Sequence, residues 1–312
     1  MKSKTISNRG DLKDVAAAVL TPFNDDGEIL YDGVARNTRF LTDRGINLLL
    51  AGANVSEYHS LTDREIKDVV QTVVEEVGDD TTVLAGTGGS LRTAIDIGQS
   101  HTRSGADALM VMPPDNPFIH EQGLVQYYDS LGAATELPLI PYIRGFAPKA
   151  ETIATVADLP NVTGMKYAVD DVEKFAHAIS LADDEEVVWL CGMGEPPVPA
   201  YWAEGAEGFT SGVGNFAPIV GLELLAALRA EDWDRAARIR DATLEFSRLR
   251  EESGQNNCFP QANSIPVLKE CLNLAGANGG QVREPLAELS AKDRERVHEA
   301  YESLEKFVET SL

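Results

Sequence analysis

Eight short apolar runs, interleaved with longer amphipathic segments, constrain this chain more than any other feature. The runs are "VAAAVLTPF" (15–23), "INLLLAGA" (46–53), "TTVLAGTG" (81–88), "ALMVMPP" (108–114), "PLIPYI" (138–143), "VTGMKYA" (162–168), "EVVWLCGM" (186–193) and "GFTSG" (208–212). None alternates cleanly between apolar and polar residues. That marks strands buried on both faces, as in parallel sheets. Helical periodicity fills intervals at 31–44, 62–77, 91–104, 120–135 and 171–182. In "LTDRE", Thr62 with Glu65 three residues on predicts a capping box. Strands each followed by a helix, over roughly 220 residues, predict a (β/α)8 TIM barrel. An open doubly wound sheet is the competitor, but no G-x-G-x-x-G follows the first strand.

After about residue 230 the strand signals stop. "EDWDRAARIRDATLEFSRLREES", "SIPVLKECLNLAG" and "SAKDRERVHEAYESLEKFVETSL" read as three helices, with no Pro/Gly/Ser-rich linker before them. The expected organisation is a barrel over 1–230 and a C-terminal helical extension over 231–312, packed on the barrel.

The chain is 43% hydrophobic over 312 residues, ample for such a core. No apolar run approaches the roughly 18 to 20 residues that span a membrane, and "MKSKTISNRGDLKD" has no apolar leader core. Three scattered cysteines, Cys191, Cys258 and Cys271, suggest neither a disulfide framework nor a zinc site, so a reduced cytoplasm is expected. The five histidines show no metal-ligand spacing, and neither a metal nor a cofactor is expected. A net charge of −23 argues against nucleic acid as a partner. Ten lysines stand against seventeen arginines. Abundant carboxylates with few lysines fit a protein kept soluble in concentrated salt, or simply an acidic cytosolic one.

In a barrel the working residues sit at the C-terminal ends of strands. Lys166 is the one lysine expected inside a strand. An amine held among apolar groups has a lowered pKa and can attack a carbonyl to form a Schiff base. The alternative is an anchor whose stem packs and whose head reaches water. Tyr142, on the neighbouring strand, is either a proton shuttle for that amine or a core tyrosine with a polar tip. Arg144 points the same way as Tyr142, as a carboxylate or phosphate binder or as an ion-pair partner. The second strand's "GANVSE" presents Asn54, Val55 and Ser56, whose backbone N–H groups suit a substrate carboxylate. Thr210 and Ser211 end the eighth strand, and Asp115 and Asn116 follow the fourth. "GTGGS" lacks the G-K-[ST] ending of a phosphate loop. Asp170, Asp171 and Glu173 are expected to open a helix.

Together these stretches resemble the dihydrodipicolinate synthase / N-acetylneuraminate lyase family of class I aldolases. The landmarks are "LTPFNDDGEI", "SEYHSLTDRE", "LAGTGG", "GADALMVMPP", "PLIPYIR", "VTGMKYA" and "GFTSGVGNFAP", in order, from "LTPF" through "VREPL". The resemblance implies Lys166 as Schiff-base lysine and Tyr142 as acid/base tyrosine. It also implies the Asn54–Val55–Ser56 loop as the seat of a keto-acid carboxylate, and a homotetramer built from dimers. The departures bear on substrate. Dihydrodipicolinate synthases carry two threonines where Asn54 and Val55 stand, and an interface tyrosine near Asp115. They place a semialdehyde-binding arginine near Ala147. "YIR", "SEYHSL", "SGVGNF" and "VREPL" instead resemble the 5-dehydro-4-deoxyglucarate dehydratase branch. The expected activity is therefore a dehydratase or aldolase of 2-keto-3-deoxy sugar acids, with Arg144 or Ser211 at the distal groups. A dihydrodipicolinate synthase with an altered relay, and a non-catalytic barrel that binds a keto acid, are the alternatives.

Overall fold

The computed structural model describes residues 9–145, 148–184 and 186–312. Eight parallel strands close into a barrel in sequence order: β1 Val15–Ala18, β2 Leu48–Ala51, β3 Thr82–Thr87, β4 Ala108–Val111, β5 Leu139–Arg144, β6 Gly164–Ala168, β7 Val188–Cys191 and β8 Gly208–Ser211. Almost every strand residue is buried, which is why the runs lack polar alternation. The period of two survives as two different apolar environments. Val15 and Ala17 of β1, Leu49 of β2, and Met165 and Tyr167 of β6 pack outward against the helices. Ala16, Leu48, Leu50, Met110, Ile140, Tyr142 and Leu190 fill the barrel interior. Lys166, lying between Met165 and Tyr167, therefore turns inward.

The outer ring is α1 Tyr31–Thr42, α2 Asp63–Glu76, α3 Leu91–Ser104, α4 Glu121–Ala134, α5 Ala150–Ala157, α6 Val172–Leu181, α7 Val198–Ala203 and α8 Pro218–Arg229. The capping box forms: the Glu65 N–H donates to Thr62 Oγ1 at 3.3 Å and the Thr62 N–H to Glu65 Oε2 at 2.9 Å. Asp171 caps α6 by accepting the Lys174 N–H at 2.9 Å.

Beyond residue 230 the expected three helices are four. The first stretch breaks into α9 Trp233–Ala242 and α10 Leu244–Glu251, followed by α11 Ser264–Leu274 and α12 Ala291–Ser311. The break is at Thr243. Its hydroxyl donates to the Arg240 carbonyl at 2.7 Å and competes with the helical ladder there. That bend lets α10 leave the direction of α9 and pack on α11 and α12. No helix among the described residues is long and apolar enough to cross a membrane.

Candidate active site

A cavity of about 510 Å³ opens at the C-terminal ends of the strands. Lys166 and Tyr142 lie directly opposite each other in the β5–β6 register. Both line the cavity and both are almost fully buried. The Lys166 Nζ sits 4.1 Å from the centre of the Tyr142 ring. Space for the lysine comes from Gly192 at the end of β7, where a Cβ would stand 3.1 Å from Lys166 Cε and 2.7 Å from Ala168 Cβ.

Burial pushes the Lys166 amine down to about 7, and the Arg144 guanidinium pushes the same way. An amine in that range is neutral for much of the time at neutral pH and can add to a carbonyl. Burial raises the Tyr142 hydroxyl, against the pull of Arg144 and Arg250, so it stays protonated and can give a proton.

Asn54, Val55 and Ser56 form a 3₁₀ turn after β2. The Ser56 N–H bonds the Ala53 carbonyl at 3.0 Å, which leaves the N–H groups of Asn54 and Val55 as the open donors of the turn. Asn54 and Val55 line the cavity, while Ser56 is wholly buried and its carbonyl accepts from Thr21 Oγ1 at 2.8 Å. The next residue, Glu57, holds the left-handed conformation at φ +62°. It is pinned there by a buried ion pair with Lys269 and by the Arg283 N–H at 3.2 Å.

Arg144 ends β5 exposed at the cavity rim and donates to Gln261 Oε1 at 3.0 Å. Thr210 and Ser211 line the cavity from β8. Ser211 is less free than its position suggests: its hydroxyl donates to the Glu195 carboxylate and accepts the Gly214 N–H at 2.6 Å. Asp115 is exposed in the loop after β4, and Ala147 lies outside the described residues. No group of three or more His, Cys, Asp or Glu among the described residues is placed to hold a metal ion.

Sequence reasoning missed Asn215 and Arg250. Asn215 lines the cavity; its Oδ1 accepts the Ala18 N–H at 2.8 Å, and its Nδ2 is buried without a partner. It sits inside "SGVGNF", so its signal was in view. Arg250 reaches the cavity from α10, on a polar edge that reads in sequence as solvent-facing.

The model of the "Dihydrodipicolinate synthetase family" matches residues 11–304. A protein of Acidovorax ebreus (strain TPSY) named "Probable 5-dehydro-4-deoxyglucarate dehydratase" is 28% identical over 95% of this chain and 98% of its own. A "4-hydroxy-tetrahydrodipicolinate synthase" of Geobacter metallireducens is 30% identical over 90% of this chain and 94% of its own. Among solved structures, dihydrodipicolinate synthase from Bacillus clausii superposes with a TM-score of 0.90 at 31% identity, over 95% of this chain and 99% of that one. The two reaction names thus stand at nearly equal identity.

Proposed function

The chain belongs to the dihydrodipicolinate synthetase family, and from that premise we propose a Schiff-base lyase that dehydrates or cleaves 2-keto-3-deoxy sugar acids. The class, an aldolase or lyase, comes with the family; the substrate and the roles below are our reading. One observation carries it: a buried lysine with a lowered pKa, in register with a buried tyrosine at a cavity floor.

In this reading the open N–H groups at Asn54 and Val55 take the substrate carboxylate. The neutral Lys166 amine adds to the C2 ketone. Tyr142 passes a proton to the departing oxygen, water leaves, and an iminium remains. The iminium withdraws electrons, so the Tyr142 phenolate takes a C3 proton and an enamine forms. The enamine then expels the C4 hydroxyl as water, with the proton supplied by Tyr142. In the aldolase variant the Tyr142 phenolate takes the C4 hydroxyl proton instead. The C3–C4 bond breaks, its electron pair ends in the enamine, and an aldehyde departs. In the aldolase variant Tyr142 returns its proton to C3 of the enamine, and in both variants hydrolysis of the Schiff base restores Lys166. Thr210, Arg144 and Asn215 surround the chain beyond C3, and Ser211 is set by Glu195.

A synthase that condenses pyruvate with aspartate semialdehyde is less well served, since Asn54 and Val55 lack the hydroxyls of a threonine relay. We propose further that residues 1–230 form the catalytic barrel and 231–312 an extension that helps close its mouth. Assembly as a homotetramer is checked by sedimentation velocity.

The test is reductive trapping. Pyruvate with borohydride should add mass at Lys166, located by peptide mapping. No adduct there would favour the binding-only barrel. Turnover of 5-dehydro-4-deoxyglucarate and 2-keto-3-deoxygluconate, against pyruvate with aspartate semialdehyde, then separates lyase from synthase. Tyr142→Phe should slow turnover by roughly 10²–10⁴, and an unchanged rate removes Tyr142 from the mechanism.

A further inference from the structure

Helix α10 turns a polar edge toward the barrel mouth. Ser247, Arg250 and Glu251, at positions i, i+3 and i+4, line the cavity, while Phe246 and Leu249 are buried in the core. The Arg250 guanidinium reaches the end of β8. A Cβ on Gly212 would stand 2.1 Å from its Nη1. Gly212 has an ordinary φ of −88°, so what this glycine supplies is room for the guanidinium, not backbone freedom.

That guanidinium is poorly matched by the protein. Its Nη2 donates to Ser264 Oγ at 3.2 Å, and its Nε is buried without a partner. Among the described residues no carboxylate forms an ion pair with it. The neighbouring Glu195 attracts the guanidinium without closing an ion pair with it, and its Oε1 accepts from Ser211 Oγ and from the Val213 N–H at 3.1 Å. A guanidinium offers five donors in a planar fork suited to a carboxylate. Arg250 is only partly buried and lines the cavity, so the donors of the fork that the protein does not use can meet a ligand there. Arg144, the other arginine at the mouth, is exposed and already bonded to Gln261. Arg250 also shares its cavity with Lys166, so a single ligand can reach both.

Resting on the Schiff-base reading above, we propose that Arg250, with Ser264 beside it, seats a second, distal carboxylate. The substrate class is then a 2-keto diacid and not a monocarboxylic sugar acid. The near carboxylate lies at the Asn54–Val55 turn, the ketone at Lys166, and the far carboxylate forms a bidentate pair with Arg250.

A matched pair of probes tests this apart from turnover. Both 2-oxoadipate and 2-oxohexanoate carry the same ketone and near carboxylate, and only the first has an acid at the far end. The half-trapping concentration of each with borohydride is measured at Lys166, and their ratio is read so that general changes in amine reactivity cancel. In the unaltered protein 2-oxoadipate should trap at a concentration on the order of a hundredfold lower, the scale of a close charge pair. Arg250→Gln should collapse that ratio toward one. Gly212→Ala, which keeps the charge but pushes the guanidinium aside, should shrink it too and serves if Arg250→Gln does not fold. If Lys166 captures neither probe nor pyruvate, the Schiff-base reading fails and takes this proposal with it. If capture occurs with equal half-points, or the ratio survives Arg250→Gln, that reading stands and the distal seat is overturned.

Discussion

A lysine nitrogen attacks only while its lone pair is free, and at Lys166 burial is what frees it. The same burial has a cost that depends on pH. Folding lowers the amine from 10.5 to about 7, so the unfolded chain binds more protons between those values. Below pH 7 the amine is charged in both states, and the folded protein bears the full desolvation cost. As pH rises from 7 toward 10.5 that cost fades, because the folded amine is already neutral. Lys166→Met removes the amine and keeps the stem's volume. It should abolish turnover and raise the melting temperature, with the larger rise at pH 6 and a small one near pH 10. Thermal melts at the two pH values check this. A variant that loses stability at pH 6 would mean that Lys166 anchors the fold. In the intact protein, trapping by pyruvate should accelerate as pH rises through about 7.

At the scale of the element, the turn that offers N–H donors is held from outside the barrel. Lys269 of α11 and Glu57 form an ion pair whose side chains are 3% and 0% exposed. The ammonium also donates to the Gln281 carbonyl at 2.5 Å and lies 4.6 Å from the Phe23 ring centre. Breaking such a pair leaves one buried charge alone. Lys269→Met should therefore destabilise by about 3–5 kcal/mol, while Glu57→Gln combined with Lys269→Met should recover most of that loss. Urea titrations of the single and double variants measure it, and additive losses would show that the pair is not coupled. None of this pairing was visible in the chain, because Glu57 and Lys269 are 212 positions apart. What was legible followed local physics. Strands buried on both faces showed as unbroken apolar runs, and Lys166 stood out as the charge among them. Tyr142 and Lys166 then met because adjacent parallel strands carry them in register. Short helices gave weaker signals: α5 has eight residues, α7 has six with Pro199 within it, and α8 opens at Pro218, the last residue of "SGVGNFAP", without a side-chain cap. Arg250 was hidden for another reason. A polar helix edge looks the same in sequence whether it faces solvent or a cavity, and only the break at Thr243 aims it inward.

For the whole molecule, the decisive quantity is the surplus of 50 acidic over 27 basic side chains, a net charge of −23. Most of these charges are at the surface, where they repel one another in the compact state. Surface ion pairs such as Arg39–Glu76 and Arg235–Glu223 work in the opposite sense, but exposed pairs contribute only about 0–1 kcal/mol each. With far more carboxylates than cations to pair them, repulsion is the larger effect. Salt screens both, shortening the Debye length from about 10 Å at 0.1 M to about 3 Å at 1 M. The melting temperature at pH 7 should therefore rise with potassium chloride. A salt-adapted protein should continue to gain beyond about 1 M, where simple screening is nearly complete. Near pH 4.5, the isoelectric point, the surplus vanishes and salt can only weaken the remaining pairs, so the same titration should be flat or falling. Scanning calorimetry across chloride concentration at the two pH values decides the matter. Equal slopes at pH 7 and 4.5 would point to salting-out of apolar surface, and a falling curve at pH 7 would mean that the ion pairs outweigh the surplus.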